Sequence, residues 1–105
     1  MRLLLSLDDI ETALSKLPGW RREGAELMKT YRFQTYLEGI DFVNCLGRSA
    51  DALDHHPDMY VGWKKVKVKL TTHSAGGITH LDIQMAQNAE NCCKEAELIS
   101  AGGEA

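Results

Sequence analysis

The stretch KVKVKLTT at residues 65–72 alternates lysines with apolar side chains. In an extended chain this period of two places Val66, Val68 and Leu70 on one face and the three lysines on the other. The pattern therefore predicts a strand with one face in the core and the other in water. Basic side chains could also bind nucleic acid, but a solvated sheet face explains them more simply, and the formal charge of -3 argues against a nucleic-acid surface.

Helical and extended patterns around this strand complete the order αββαββα. The predicted helices cover residues 9–17, 36–53 and 81–99, and the predicted strands cover residues 20–23, 27–34, 59–61 and 65–72. Thr35 and Thr79 each precede an acidic residue by three positions, which is the spacing of a capping box. Lys29 breaks the alternation of the second strand. The chain is predicted to be an α+β two-layer sandwich, with a four-stranded antiparallel sheet covered on one face by three helices.

Length and composition are those of one ordinary domain. The chain has 105 residues, of which 44% are hydrophobic and 26% are charged, so a single domain over residues 1–105 is expected. The leucines near the start are followed at once by Asp8 and Asp9, and the run is too short for a signal segment or a membrane span. We expect a cytoplasmic protein without membrane association.

Three cysteines, Cys45, Cys92 and Cys93, give an odd count without a C-x-x-C spacing. Adjacent cysteines in a helix do not easily bridge each other. The sequence therefore predicts three reduced thiols that fill the core.

Three of the four histidines lie in two short segments, DHHP at residues 54–57 and TTHSAGG at residues 71–77. The predicted hairpin between the segments could return His73 toward His55 and His56. Histidine titrates near neutral pH, so a cluster of imidazoles is suited to moving protons in both directions. A helix-terminal pair favoured by the helix dipole, plus one unrelated loop histidine, explains the pattern equally well.

Other chemistry has weaker support. Three histidines can bind zinc, but adjacent histidines project in divergent directions and seldom reach one ion. Ser74 next to His73 is a weak candidate nucleophile, since adjacency in sequence does not establish the required geometry. Asp82 could cap the last helix or face the loop of His73. Trp63 is expected to pack, although its ring could offer a flat surface to a ring-shaped ligand.

Together, residues 54–57, 66–70 and 71–79 with Asp82 resemble the pterin-4a-carbinolamine dehydratases, also called 4a-hydroxytetrahydrobiopterin dehydratases. Two histidines before a proline, a hairpin, and Thr-His followed by Gly-Ile-Thr and a downstream Asp form the motif of that family. The predicted order αββαββα extends the likeness over nearly the whole chain.

The resemblance implies a hydro-lyase that needs neither a cofactor nor a metal ion. It would remove water from 4a-hydroxytetrahydropterin to give quinonoid dihydropterin in tetrahydrobiopterin recycling. The 4a-hydroxyl leaves more readily when it is protonated, and N5 loses a proton as the C=N bond forms. One acid and one base therefore suffice.

By position, His55, His56 and His73 match the catalytic histidines of the family. The resemblance implies His55 and His73 as the acid/base pair and His56 as the group that holds the 4a-hydroxyl, but the sequence does not fix which is acid and which is base. The expected substrate-binding residues are Asp51, Thr72, Ser74 and Asp82. The backbone of residues 72–74 would bond the pterin ring, and Asp51 would tune or orient a histidine.

The family also implies partners. Its members assemble as dimers or dimers of dimers, so a homodimer or homotetramer is expected, formed through residues 92–99 or through an edge strand. An aromatic amino-acid hydroxylase is a further implied partner. The alternative function is a non-catalytic binding protein or dimerisation cofactor for a hydroxylase or a transcription factor. Trp63-Lys64 and His80 depart from the family pattern, which commonly has Tyr-Asn and an acidic residue there.

Overall fold

A computed structural model describes residues 3–102, and its element order confirms the predicted α+β fold. In chain order the elements are α1 (Leu7–Leu14), β1 (Arg21–Glu23), β2 (Glu26–Arg32), α2 (Tyr36–Leu53), β3 (Asp58–Gly62), β4 (Lys65–Leu70), a 3-10 turn (His73–Ala75) and α3 (His80–Gly102). Both ends of the predicted 1–105 domain lie outside the described residues. Within residues 3–102, no helix is long and apolar enough to cross a bilayer.

The strands form one antiparallel sheet in the order β1-β2-β4-β3. β4, which carries the KVKVKL pattern, is hydrogen-bonded to β2 on one side and to β3 on the other. Tyr31 of β2 and Val61 of β3 both lie opposite Val66. Since β4 has partners on both sides, its alternation of apolar and basic residues fixes which face of the sheet is buried.

The core lies between the inner sheet face and the two long helices. Val66, Val68 and Leu70 are at most 1% exposed. Phe42 of α2 and Met85 of α3 have no exposed surface and pack over these strands. Burying one such side chain stabilises the fold by about 1.5–3 kcal/mol. Opposite them, the outer face of the sheet carries the lysines of β4 in positions open to water.

A capping box fixes the start of α2. Thr35 Oγ1 accepts a hydrogen bond from the Glu38 N–H at 3.1 Å. In return, Glu38 Oε1 accepts one from the Gln34 N–H at 2.8 Å. The two side chains satisfy backbone donors that the first helical turn leaves free, so the helix begins where the sequence predicts.

The bounds of α1 and β4 differ from the prediction by a few residues. α1 begins at Leu7 because Ser6 Oγ accepts a hydrogen bond from the Asp9 N–H at 3.1 Å. It ends before Leu17, whose N–H bonds the preceding turn instead of continuing the helix. β4 ends at Leu70 because Thr72 pairs with a loop residue and not with a strand.

Lys29 interrupts the alternation of β2 because it forms an ion pair on the inner face of the sheet. It lies opposite Val68, and its Nζ is 2.7 Å from Glu90 Oε2 of α3. The same carboxylate oxygen accepts hydrogen bonds from Trp20 Nε1, at 3.2 Å, and from the Tyr31 hydroxyl. This Glu90 cluster, formed by Trp20, Lys29, Tyr31 and Glu90, ties the first hairpin to α3.

The pKa values of Glu90 and Tyr31 in the Glu90 cluster are shifted in opposite directions. Burial acts to raise the pKa of Glu90, but hydrogen bonds from Lys29 and Tyr31 outweigh it, and the pKa lies below its ordinary value. Burial, followed by the hydrogen bond to Glu90, raises the pKa of Tyr31. The carboxylate therefore stays charged and the phenol stays a hydrogen-bond donor at neutral pH.

A disulfide joins the two long helices. Cys45 of α2 is bonded to Cys92 of α3, with their Cα atoms 5.6 Å apart, and Cys93 is a free thiol. The prediction of three reduced thiols is therefore wrong for this pair. The two cysteines are 47 positions apart in sequence, and only the packing of α2 on α3 brings them within bonding range.

Removing the Cys45–Cys92 bond is expected to lower the free energy of unfolding by about 2–4 kcal/mol, because the bond restricts the unfolded chain. Urea unfolding of Cys45→Ser measures this loss. Cys93→Ser is the matched control, since Cys93 lies next to the bond without forming it. Equal stabilities of the two variants under non-reducing conditions would contradict the assignment.

Glu90→Gln is expected to lower the free energy of unfolding at pH 7 by about 1–2 kcal/mol, because it removes the charge that three donors share. The folded pKa of Glu90 is lowered, so its contribution is present above the ordinary value of 4.5 and is lost as the pH falls through the folded value. The difference from wild type should shrink below pH 4.5. Urea unfolding between pH 7 and 3 measures it, with the exposed Glu97→Gln as control, and a pH-independent difference would refute it.

Candidate active site

The end of α2 turns the chain so that His55 faces inward. Asp54 adopts the left-handed conformation, with φ 51° and ψ 44°, which aspartate tolerates better than most residues. The His55 N–H then reaches back to the Ala50 carbonyl at 3.0 Å, which closes a Schellman-type end to the helix. As a result His55 is only 9% exposed, although it directly follows a surface helix end.

A buried carboxylate holds the ring of His55. Asp82 Oδ1 lies 2.6 Å from His55 Nε2, and Asp82 has no exposed surface. Its other oxygen accepts hydrogen bonds from the Thr72 hydroxyl at 2.8 Å and from the Thr79 N–H at 2.9 Å. The bond to Thr79 is part of the predicted cap of α3, so Asp82 both caps the helix and contacts the histidine.

The bond to Asp82 assigns the tautomer of His55. A carboxylate accepts hydrogen bonds, so His55 Nε2 carries the proton and neutral His55 has an unprotonated Nδ1. Nδ1 has no hydrogen-bond partner among the described residues. Every buried side-chain nitrogen or oxygen in those residues does have such a partner, so Nδ1 is not one of the buried atoms. Nδ1 therefore keeps some exposed surface, and His55 as a residue borders a surface cavity.

This histidine cavity has a volume of about 400 Å³, which is within the range of small-molecule sites. It lies where α2 ends and β4 passes into α3. Its lining residues are Asp54, His55, His56, Thr71, Thr72, His73, Ser74 and Leu81. Within the described part of the chain, no three His, Cys, Asp or Glu side chains are grouped to hold a metal ion.

The loop after β4 presents His73 at the rim of the histidine cavity. Thr72 pairs with Gly77, and the Thr72 N–H donates to the Gly77 carbonyl at 2.9 Å. Gly76 has φ 76°, a conformation that favours glycine, and it allows this tight closure. His73 and Ser74 are exposed, and their N–H groups form no hydrogen bond with the other described residues. Both groups are free to donate to a ligand.

A second carboxylate holds the third histidine, His56. His56 Nε2 lies 2.8 Å from Asp51 Oδ1, one turn earlier on α2. Their side chains are 57% and 83% exposed, so the pair contributes little to stability and mainly restricts where the ring points. A neighbouring cavity of about 430 Å³, between α2 and β3, is bordered by both residues.

The structure brings His55, His56 and His73 together and gives two of the expected substrate-binding residues another task. Asp82 is fully buried, and the hydroxyl of Thr72 is taken up by Asp82. The backbone N–H and carbonyl of Thr72 are used within its own loop. Asp82, which has no exposed surface, supports His55 instead of facing a ligand. Thr72 and Ser74 both line the histidine cavity, and their contact with a substrate stays a prediction.

Three residues line the histidine cavity although the sequence does not predict them as site residues: Asp54, Thr71 and Leu81. Asp54 belongs to the histidine motif at residues 54–57. Its position directly before the helix-ending histidines is a signal for a left-handed cap, which sequence reasoning could have used. Thr71 and Leu81 line the cavity because they flank the two ends of the loop, and no local pattern marks them.

The family model described as Pterin 4 alpha carbinolamine dehydratase matches residues 4–92. The chain belongs to this family. The match spans both histidine segments and Asp82, and it confirms the resemblance seen in the sequence.

Curated relatives cover most of the chain. A Mycolicibacterium smegmatis protein is 45% identical over 84 residues, which is 80% of this chain and 89% of the relative. A Nostoc protein is 46% identical over 86 residues, or 82% of this chain and 92% of the relative. Both are provisionally named pterin-4-alpha-carbinolamine dehydratase. The names identify the family and are not measured activities.

Two solved structures are similar. A Brucella melitensis protein described as a transcriptional coactivator/pterin dehydratase has a TM-score of 0.84 and 29% identity, over 87% of this chain and 99% of that chain. A pterin dehydratase-like protein described as a RuBisCO assembly factor of the alpha-carboxysome has a TM-score of 0.62 and 20% identity, over 71% of this chain and 89% of that chain. The second likeness shows the fold alone.

Neutral His55 is expected to carry its proton on Nε2 and none on Nδ1, because Asp82 accepts from Nε2. Nitrogen-15 NMR shifts of the imidazole distinguish the two tautomers. The exposed His56 is the internal control, and Asp51→Asn should alter the signals of His56 while leaving those of His55 in place. A proton on Nδ1 of neutral His55 would rule out the assigned geometry.

Proposed function

We propose that this protein is a 4a-hydroxytetrahydropterin dehydratase, a hydro-lyase that forms quinonoid dihydropterin. The observation that carries the proposal is the convergence of His55, His56 and His73 on one cavity of about 400 Å³. Membership of the pterin carbinolamine dehydratase family supports the substrate class. The catalytic histidines, the reaction and its place in tetrahydrobiopterin recycling are the proposed part.

In the proposed reaction His55 is the base. Its Nε2–H is held by Asp82, so Nδ1 is the ring nitrogen left to accept a proton, and His55 lines the cavity. Nδ1 accepts the proton of pterin N5 as the C4a=N5 bond forms. Asp82 stabilises the imidazolium that results, because its oxygen is 2.6 Å from the opposite ring nitrogen. Asp82 is a positioning residue here, since it is fully buried and cannot touch the substrate.

His73 is the matching acid. It donates a proton to the 4a-hydroxyl, the C4a–O bond breaks, and the oxygen leaves as water. The proton taken by His55 and the one given by His73 balance, and exposure of His73 lets both exchange with solvent. Each well-placed proton-transfer group contributes about 10² to 10⁴ in rate. This chemistry requires neither an electron carrier nor a metal ion.

The remaining polar groups orient the pterin. His56, restrained by Asp51, lies on the same cavity wall and holds the 4a-hydroxyl before it leaves. The free N–H groups of His73 and Ser74 donate to the acceptor atoms of the ring. Orientation of this kind lowers the barrier because the reacting atoms are placed before the proton moves.

The biological setting is part of the proposal. We place one catalytic domain over residues 1–105 in the cytoplasm, serving an aromatic amino-acid hydroxylase. Assembly as a homodimer or homotetramer would use the open edge of β3, since Cys92 and Ala96 face the core of their own chain. Disulfides are rare in reducing compartments, so in the cytoplasm the Cys45–Cys92 bond is expected to form only under oxidising conditions.

A second candidate function is a binding role without catalysis. It rests on the description of the similar Brucella melitensis protein as a transcriptional coactivator/pterin dehydratase. Such a role would need a partner surface and would not need the histidine cavity. Turnover of the pterin substrate separates the two functions.

His73→Ala and His56→Ala are each expected to lower turnover by about 10² to 10⁴, because each removes a group that acts on the 4a-hydroxyl. Stopped-flow absorbance with 4a-hydroxytetrahydropterin measures the rate. His80→Ala is the matched control, since His80 is exposed and does not line the histidine cavity.

Circular dichroism should show an unchanged fold in all three variants. Wild-type rates in both His73→Ala and His56→Ala would overturn the catalytic proposal. A wild-type protein that adds nothing to the uncatalysed rate would also overturn it and would favour the binding role.

A further inference from the structure

The sheet face opposite the core carries a compact group of positive charges. Arg32 of β2 lies directly opposite Lys65 of β4. Lys67 lies opposite Thr30 on one side and opposite Tyr60 of β3 on the other. These five residues line a groove of about 340 Å³, called here the basic groove.

The cations of the basic groove have no ion-pair partner among the described residues, although Lys67, after Arg21, helps to lower the pKa of Glu23 on the same sheet face. On the same sheet face, Arg21 pairs with Glu23 at 2.9 Å and Lys69 pairs with Glu26 at 3.6 Å. In the described part of the chain, Arg32, Lys65 and Lys67 form no ion pair. None of the three takes part in the ion pairs of that part of the chain, which are Arg21–Glu23, Lys29–Glu90, His55–Asp82, His56–Asp51 and Lys69–Glu26.

This arrangement works against stability. Like charges directly opposite each other on neighbouring strands are destabilising. Arg32 and Lys65 are such a pair, so they cost free energy that packing does not require, since both side chains are exposed. Binding of an anionic ligand offsets this free-energy cost, because the ligand neutralises the like charges.

Exposed aromatic rings lie at the same end of the sheet. Tyr60 is 55% exposed, and Trp63, in the turn between β3 and β4, is 73% exposed. The expectation that Trp63 packs is therefore wrong, because the turn carries its ring into solvent. The ammonium of Lys64 lies 4.4 Å from the centre of the Trp63 ring. Flat rings beside cations are the features that bind bases and phosphates of unpaired strands.

We propose that the basic groove binds single-stranded nucleic acid. Phosphates contact Arg32, Lys65 and Lys67, and bases stack on Tyr60 and Trp63. The net charge of -3 argued against this class of partner, but the charge is unevenly distributed, and the unpaired cations share one face. Along the chain the basic groove ends at Lys67 and the histidine cavity begins at Thr71, about 13 Å further on, and the two sites share no residue. We therefore expect this binding to be independent of the proposed dehydratase reaction.

The test is fluorescence anisotropy with labelled twelve-nucleotide oligo(dT) and oligo(U) at low salt. Saturable binding is expected, with the logarithm of affinity falling against the logarithm of salt with a slope of about -2 for three phosphate contacts. Lys65→Gln/Lys67→Gln should reduce that slope to about -0.7. Tyr60→Ala should weaken binding by about 5- to 150-fold through loss of stacking.

Lys16→Gln/Lys94→Gln is the matched control, because it removes the same charge from exposed lysines elsewhere and should keep wild-type affinity. Pterin turnover should be unchanged in all these variants. Absence of saturable binding by wild type overturns the proposal, as does equal weakening by the control pair. Equally tight binding of poly-glutamate, insensitive to Tyr60→Ala, overturns it in favour of an acidic protein partner.

Discussion

The hydrogen bond between Asp82 and His55 is the constraint on which both fold and site depend. A buried carboxylate is costly unless donors surround it. Asp82 obtains its donors from the end of α2, from the loop after β4 and from the start of α3, through His55, Thr72 and Thr79. These three segments therefore have one mutual arrangement, and that arrangement forms the wall of the histidine cavity.

Much of the fold could be predicted from local sequence because local physics decides it. The alternation in residues 65–70 predicts β4, because one face of this strand packs in the core and the other meets water. The spacing of Thr35 and Glu38 predicts the start of α2, because a capping box involves only nearby atoms. The grouping of the histidines was recognisable because only a hairpin separates their two segments.

Features that depend on distant contacts could not be predicted. Lys29 breaks the alternation of β2 because its ammonium group pairs with Glu90, which lies 61 positions later in the sequence. Cys45 and Cys92 meet only because α2 packs on α3. The burial of Asp82 likewise depends on three segments meeting, so its support of His55 was mistaken for contact with a ligand. In each case the deciding partner is absent from the local pattern.

Cys93 adjoins the disulfide and is chemically quiet. Burial, together with the carboxylates of Glu97 and Glu90, raises the pKa of Cys93 to about 11. Only the thiolate attacks a disulfide, so at pH 7 about one Cys93 side chain in ten thousand is reactive. Cys93 therefore reacts slowly with the neighbouring Cys45–Cys92 disulfide. Once formed, this cross-link between α2 and α3 resists thiol–disulfide exchange with Cys93 of the same chain and of other copies of the chain.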